Sequence, residues 1–242
     1  MNALVVGGSS GVGLSIVLQL LHNETVRHVY VIDKNEFPNE YENEKIVWKH
    51  CDLSLRDFSV LDEVGDIQAL YITAGFGQLK WFQDHSREDI NSIFAVNAIA
   101  PIQIIRHYYA RLLSKEAFDC AVMVSIAGRL SSPLFSVYSA TKAALSKFIE
   151  AVNVELDVQE SANRILEVSP GSLKGTSFDG GALQPNLTLP LATEIIIRAK
   201  KRETLFIPQY DEVFKNVIDR YQLDPHRFGV DSYWYKKKQG RF

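Results

Sequence analysis

The 242-residue sequence has only two cysteines, Cys51 and Cys120, which stand far apart in predicted strands. This scarcity excludes a disulfide framework and leaves no metal-ligand spacing, so we expect two reduced thiols and a cytoplasmic protein. No apolar run reaches the roughly 18 residues of a membrane span, so we expect no membrane partner. We also expect no signal peptide, because Ala3–Val6 already has the pattern of a core strand.

The sequence has no excess of positive charge either. Its formal net charge is −3 and its pI is near 6.1, which gives no electrostatic footprint for nucleic acid. Internal repeats, low-complexity segments and linkers rich in Pro, Gly and Ser are also missing. The chain is therefore predicted to form one large globular domain.

What the sequence does contain is an alternation of short apolar runs with longer helical patterns. Strands are predicted at Ala3–Val6, Val29–Ile32, Ile46–Lys49, Ala69–Ile72, Ala121–Val124, Arg164–Val168 and Leu205–Ile207. Helices are predicted at Val12–Leu21, Ser54–Glu63, Arg87–Leu113, Tyr138–Asp157 and Ala192–Lys200. Continuous apolar strands between helices indicate a parallel sheet covered on both faces. We predict an α/β fold: a doubly wound, Rossmann-like, parallel seven-stranded sheet in a single domain.

A glycine-rich turn joins the first predicted strand to the first predicted helix, with the sequence Gly7-Gly8-Ser9-Ser10-Gly11-Val12-Gly13. Glycines at such a turn let a pyrophosphate approach the backbone N–H groups at the helix N-terminus. The spacing is G-x3-G-x-G rather than G-x-G-x-x-G, so a purely structural loop is the alternative. Asp33 ends the second strand, where a carboxylate binds ribose hydroxyls or simply forms a turn. Together the two features favour a dinucleotide site.

A second group of residues has the pattern of an acid/base site. Ser125 follows the predicted strand Ala121–Val124, and Tyr138 and Lys142 stand four residues apart on one face of the next helix. An ammonium beside a phenol favours the phenolate, so we expect Lys142 to lower the pKa of Tyr138 from about 10. Tyr138 then acts as general acid/base and Ser125 positions the substrate oxygen. A Tyr-x3-Lys pair alone is common by chance, and the other motifs are what favour catalysis.

These motifs follow one another in the order of a known family. The chain resembles the short-chain dehydrogenases/reductases, in their shorter single-domain branch, over residues 1–208, with a C-terminal helix and tail at 209–242. The match implies a catalytic tetrad of Asn97, Ser125, Tyr138 and Lys142. It also implies a cofactor site formed by Gly7, Ser9, Ser10, Gly11, Val12, Gly13, Asp33, Asp52, Leu53, Ala74, Gly75, Tyr138, Lys142, Pro170, Gly171 and Thr176.

The resemblance implies an oxidoreductase that transfers a hydride between NAD(P)(H) and a small-molecule alcohol or carbonyl. Lys142 would hold the nicotinamide ribose and stabilise the phenolate of Tyr138, and Asn97 would hold a water that connects Lys142 to solvent. The alternative from another class is a dinucleotide-binding sensor or scaffold with vestigial activity. The complete tetrad favours the enzyme.

Cofactor preference depends on Asp33, whose carboxylate repels a 2′-phosphate and so favours NAD. Lys34 would attract that phosphate, so NADP is not excluded. The chain departs from the family at Val6, where Thr is usual, and at Ile72-Thr73, which replace two Asn. We expect these departures to affect stability more than chemistry.

The helices Arg87–Leu113 and Tyr138–Asp157 carry apolar residues on more than one face, and the family commonly pairs them across a two-fold axis. A homodimer or homotetramer is therefore implied. Beyond residue 208, Val213–Tyr221 is predicted to be a docked amphipathic helix. The aromatic and basic segment Tyr233–Lys238 is predicted to fray, with coverage of the active site or of a neighbouring subunit as alternatives.

No substrate class follows from the sequence. Position in the chain predicts a mobile lid at Ser177–Pro185 and a set of residues in the substrate pocket wall. That set is Phe76, Gln78, Leu79, Arg129, Leu130, Ser131, Phe135, Lys174 and Phe178. Arg129 and Lys174 would suit an acidic or phosphorylated substrate, but solvation of both at the surface is the favoured alternative.

Overall fold

A computed structural model describes residues 1–175 and 184–240. The strands are β1 (Asn2–Val6), β2 (His28–Asp33), β3 (Ile46–His50), β4 (Ala69–Ile72), β5 (Asp119–Met123), β6 (Ile165–Val168) and β7 (Leu205–Phe206). They form one parallel sheet in the order β3-β2-β1-β4-β5-β6-β7. The predicted seven-stranded, doubly wound parallel sheet is thus confirmed, and the strand order reverses between β1 and β4.

Helices cover both faces of this sheet. They are α1 (Gly11–Leu21), α2 (Arg87–Phe94), α3 (Ala100–His107), α4 (Tyr109–Leu113), α5 (Ser136–Val158), α6 (Pro185–Lys200), α7 (Lys215–Leu223) and α8 (Pro225–Lys238). Within the described ranges, no helix combines the length and the apolar character needed to cross a bilayer.

The strands supply a core on each face of the sheet. In β1, Leu4 and Val6 belong to the core that packs against α3 and α5, whereas Ala3 and Val5 belong to the core beneath α1 and α6. All four residues are fully buried. A strand buried on both faces needs apolar residues at every position, which explains the continuous runs in the sequence.

Two of the predicted helices are not continuous α-helices in the structure. Residues 54–63 make two short 3-10 turns, Leu53–Leu55 and Ser59–Glu63, because Arg56 between them has a left-handed backbone with φ of 60°. The predicted helix Arg87–Leu113 is interrupted by a π-helical turn at Ala95–Ile99 and again at Tyr108. Helical residues continue on either side of each interruption, so the sequence pattern predicts one helix.

The C-terminal segment corrects a further prediction. Residues 213–221 are helical as expected, within a π-helical turn at Tyr210–Phe214 and α7. The tail, however, is not frayed, because it forms α8. Asp224 caps this helix by accepting a bond from the N–H of Arg227 at 2.9 Å, and Pro225 takes its first position. The ring of Tyr233 lies 5.5 Å from that of Trp81, so α8 packs on the segment that follows β4.

Candidate active site

A cavity of about 840 Å³ opens at the carboxyl ends of the strands, where the strand order reverses. Thirteen of the residues predicted to bind a cofactor line it: Gly7, Ser10, Gly11, Val12, Gly13, Asp33, Asp52, Leu53, Ala74, Gly75, Tyr138, Pro170 and Gly171. Ser125 lines it as well. Thr176, Phe178 and most of the predicted lid lie outside the described residues.

The glycine turn forms one wall of the cavity and has no room for a side chain at Gly7 or at Gly13. Gly7 has a φ of +85°, and a Cβ there would lie 2.5 Å from the backbone nitrogen of Ala74. A Cβ on Gly13 would lie 2.0 Å from the carbonyl oxygen of Gly7. The glycines therefore let the strand, the turn and α1 approach one another closely.

Thr73 stabilises this turn from the neighbouring strand. Its hydroxyl donates to the carbonyl oxygens of Val6 and Gly7, at 3.0 and 3.1 Å. Thr73 stands where the family usually has Asn, and here its hydroxyl makes the contacts that stabilise the turn. The departure at this position therefore keeps a link between β4 and the glycine turn.

Asp33 is held at the end of β2 by two backbone donors. Its Oδ2 accepts from the N–H of Ser9 and its Oδ1 from the N–H of Asn35, both at 3.0 Å. Ser9 is buried, and its hydroxyl donates to the carbonyl of Asn35. Ser9 thus fixes the loop behind the cavity and is not part of the lining, whereas Asp33 and Lys34 are.

Asp52 occupies the adjacent strand end. Its Oδ1 accepts from the N–H of Ser54 at 2.9 Å, and the hydrogen bonds with Ser54 lower the pKa of this carboxyl. Asp33 and Asp52 together make this end of the cavity acidic and rich in acceptors. Such a surface suits the hydroxyl and amino donors of an adenosine.

The opposite end of the cavity holds the predicted acid/base residues. Ser125 follows β5 by two residues, and its hydroxyl oxygen accepts from the N–H of Ala127 at 3.1 Å. Tyr138 lies in the first turn of α5, is 8% exposed and makes a hydrogen bond with Ser125. The sequence spacing therefore correctly predicts that these two side chains meet.

The expected effect of Lys142 on Tyr138 is not found. Burial raises the pKa of Tyr138, and the hydrogen bond with Ser125 offsets this only in part. Burial also lowers the pKa of Lys142 to about 7, so its positive charge is incomplete at neutral pH. Its Nζ donates to the carbonyl of Met123 at 2.9 Å and lies 5.9 Å from the centroid of the Tyr138 ring. Desolvation is the largest cause of both pKa shifts, and neither group is among the causes of the other's shift.

Asn97 lies in the π-helical turn and is completely buried. Its Nδ2 donates to the carbonyl of Phe76 at 2.8 Å and to Oγ1 of Thr141 at 3.2 Å, and its Oδ1 accepts from the N–H of Phe76 at 3.0 Å. The amide thus connects the segment after β4 to α5. The water-holding role of Asn97 stays a prediction.

Fewer residues form the wall beside Tyr138 than the sequence predicts. Phe76, Gln78 and Phe135 line the cavity, and the ring of Phe135 lies 5.4 Å from that of Tyr138. A Cβ on Gly77 would lie 2.9 Å from the Tyr138 ring. The other predicted wall residues in the described ranges are not part of the lining: Leu79, Arg129, Leu130, Ser131 and Lys174.

Ser132 and Lys236 line the cavity and are missed by the sequence analysis. Lys236 comes from α8, and its Nζ donates to Oγ of Ser132 at 2.8 Å and to the carbonyl of Pro133 at 2.7 Å. The Asp224-Pro225 pair was the available signal that a capped helix, rather than a frayed tail, begins there.

Comparison with known proteins gives concordant matches. A family model described as short chain dehydrogenase matches residues 1–184. An uncharacterized oxidoreductase of Saccharomyces cerevisiae, TDA5, is 28% identical over 186 residues, which cover 73% of this chain and 56% of that protein. The ketoacyl reductase HetN of a Nostoc species is 30% identical over 198 residues, covering 74% of this chain and 68% of that protein. The match with TDA5 thus spans little more than half of that relative.

Solved structures match over almost the whole chain. A short-chain dehydrogenase from Streptomyces avermitilis superimposes with a TM-score of 0.75 at 21% identity, covering 100% of this chain and 99% of that one. A short chain dehydrogenase from Burkholderia cenocepacia in complex with NADP gives a TM-score of 0.73 at 20% identity, with 92% and 94% covered. At these identities the likeness establishes the fold.

Proposed function

Because the chain belongs to the short-chain dehydrogenase family, we propose that it transfers a hydride between a nicotinamide dinucleotide and a small-molecule alcohol or carbonyl compound. The observation that supports this most strongly is the placement of its two motifs in one cavity. The glycine turn forms one end of this cavity, and Ser125 and Tyr138, in hydrogen-bond contact, lie at the other.

The residues of the cavity fit a dinucleotide. Gly7 and Gly13 let the turn pack tightly against the neighbouring backbone. The first residues of α1 line the cavity, where the N-terminus of this helix presents backbone N–H groups. Asp33 and Asp52 offer acceptors for the adenosine end. When bound, such a cofactor supplies or accepts the hydride.

In this proposal Tyr138 gives a proton to the substrate oxygen during reduction. Burial raises the pKa of its phenol, so the protonated form dominates at neutral pH and the residue is ready as an acid. The hydroxyl of Ser125, which already contacts the phenol, orients the same substrate oxygen. Lys142, with a pKa lowered to about 7 by burial, exchanges protons readily near neutral pH and so helps to reprotonate Tyr138.

We propose NAD(H) as the preferred cofactor, because the carboxylate of Asp33 is fixed at the cavity by Ser9 and Asn35. Lys34, on the same lining, is the feature that would favour NADP. We further propose a cytoplasmic location, with which the two free and buried thiols of Cys51 and Cys120 agree.

The experiment is a panel of alcohols with NAD⁺ and of carbonyl compounds with NADH, followed by NADH absorbance. We expect turnover of at least one pair, and a reduction of at least about a hundredfold in Tyr138→Phe. The alternative function, a dinucleotide sensor, predicts tight NADH binding, no turnover across the panel, and a protein partner that is captured in only one redox state of the cofactor.

A further inference from the structure

The C-terminal helix α8 carries a lysine into the cavity. Lys236 is 6% exposed and lines the cavity, whereas its neighbours Lys237 and Lys238 are exposed. Burial of an ammonium is costly unless nearby groups compensate it, so lysines are rarely enclosed in this way. The position of Lys236 therefore requires a structural or functional reason.

The ammonium lies at the Tyr138 end of the cavity. Hydrogen bonds to the hydroxyl of Ser132 and the carbonyl of Pro133 hold it against the segment that leads into α5. Its Nζ lies 5.7 Å from the centroid of the Phe135 ring, and that ring lies 5.4 Å from the ring of Tyr138. Lys236 is thus separated from the proposed proton donor by a single aromatic side chain.

Both ends of the cavity carry charged lining residues: Lys34 lies with Asp33 and Asp52 beside the glycine turn, and Lys236 lies beside Phe135. The acidic residues among the described lining are Asp33, Asp52 and Asp89, of which the first two lie at strand ends beside the glycine turn. Asp89 already accepts from Nζ of Lys80 at 2.7 Å and from Nε2 of Gln78 at 3.2 Å. The hydrogen bond with Lys80 holds the pKa of Asp89 far below its usual range. The part of the cavity beside Tyr138 therefore combines a cation with aromatic walls.

We propose that Lys236 determines substrate specificity by binding an anionic group, a carboxylate or a phosphate, on the carbonyl or alcohol substrate. This inference rests on the proposed function and adds the substrate class. An ammonium is a compact charge that binds either anion, and the Ser132 hydroxyl beside it is a second donor. Phe76 and Phe135 would contact the apolar part of the same molecule.

The test measures binding and turnover separately. Benzoate and phenyl phosphate are the anionic probes and benzamide is the neutral one, each titrated into the NADH complex by calorimetry. For turnover, 4-carboxybenzaldehyde is compared with its methyl ester. We expect the wild type to prefer the anionic member of each set. We expect Lys236→Met to lower the affinity for the anionic probes by at least about tenfold. The tighter of benzoate and phenyl phosphate identifies the anion.

Two further variants separate recognition from a purely structural role. Lys236→Arg keeps the charge and is expected to retain the preference for anions. Lys237→Met removes an exposed lysine from the next position and is expected to change nothing, because Nζ of Lys237 lies over the ring of Trp234, 5.2 Å from its centroid. NADH affinity is expected to be the same in all variants.

Each outcome decides the inference. The inference is overturned if the wild type binds neither anion more tightly than benzamide. It is also overturned if Lys236→Met loses the same factor in affinity for the anionic and the neutral probes. Selective anion binding without turnover of any aldehyde keeps the inference and instead contradicts the proposed hydride transfer.

Discussion

Arg129 donates from Nη2 to Oε1 of Glu167 at 2.6 Å, and this carboxylate is almost completely enclosed. The same carboxylate accepts from the hydroxyls of Ser146 and Ser169, at 2.8 and 2.7 Å. It therefore joins three segments: the turn after Ser125, helix α5, and the end of β6. This link is outside the cavity but fixes the relative position of the elements that carry the proposed acid/base residues.

We predict that Glu167→Ala lowers the free energy of unfolding by about 3 kcal/mol, because Arg129 loses its partner in a largely buried site. Urea unfolding measures this change. The control is Glu150→Ala, whose partner Lys147 is exposed and whose removal is expected to have no measurable effect. Equal urea midpoints for Glu167→Ala and the wild type would contradict the assignment.

Tyr138→Phe is expected to reduce turnover by ~10²–10⁴, because it removes the proton donor and keeps the ring that packs on Gly77 and Phe135. The dissociation constant for NADH, measured by fluorescence titration, is expected to stay the same. Tyr235→Phe, at an exposed position of α8, is the matched control. Near-full activity of the Tyr138 variant on a good substrate is incompatible with the proposed mechanism.

Lys142 gives a prediction about pH and stability. Its pKa falls from 10.5 in the unfolded chain to about 7 in the folded one, so between these values the unfolded state binds more protons and stability rises with pH. Lys142→Met removes this effect. The gain in unfolding free energy of this variant over the wild type is expected to be largest below pH 7. The gain is expected to shrink toward pH 10.5, by about 1.4 kcal/mol for each pH unit between the two pKa values. Thermal unfolding across this range tests the sign, and a difference that is independent of pH refutes it.

Asp33 gives a prediction about cofactor preference. Separate fluorescence titrations are expected to show tighter binding of NADH than of NADPH, and Asp33→Ala is expected to narrow or invert the difference because Lys34 then acts unopposed. Glu36→Ala, an exposed carboxylate three residues away, is the control and is expected to leave the ratio unchanged. Equal affinities in the wild type would mean that Asp33 does not act on the 2′ position.

The surface of α5 gives a prediction about assembly. Ala143, Ala144, Ala151 and Val158 are exposed on this helix, whereas Phe148 is half-buried and packs against the core. A Glu at Phe148 would disturb the core as well as the surface, whereas Ala151→Glu changes only an exposed position and is the variant to test. We expect it to dissociate a homodimer and to lower activity together. Leu55→Glu, an exposed apolar position elsewhere, is the control. A fully active wild-type monomer of 27.3 kDa at micromolar concentration in light scattering would rule out this assembly.

The parts of the site that are local in sequence could be predicted. The glycine turn follows β1 directly, and Tyr138 and Lys142 share a helical face, so short-range spacing was sufficient. The parallel sheet was also predictable, because strands such as β1 are buried on both faces and are apolar throughout.

The parts that depend on distant contacts could not be predicted. Lys236 contacts Ser132, which is 104 residues earlier in the chain, and no local pattern encodes that pairing. The direction of the Tyr138 pKa shift depends on how deeply α5 packs, which spacing does not reveal. The break at Arg56 depends on polar side chains that bond to nearby backbone groups, as Asp52 and Asp57 do with Ser54 and Ser59.

Because Asn97 lies in the π-helical turn at Ala95–Ile99, its position at the site depends on the number of residues in this helix as well as on their identity. Such a turn contains one more residue than an α-helical turn. Deleting a single residue there would replace the wide turn by an α-helical one and would displace Asn97, which stands inside it. Asn97 could then no longer contact both Phe76 and Thr141. Relatives that differ in length are therefore expected to place their insertions and deletions elsewhere, since a shift of one residue in this helix is a change of geometry at the cavity.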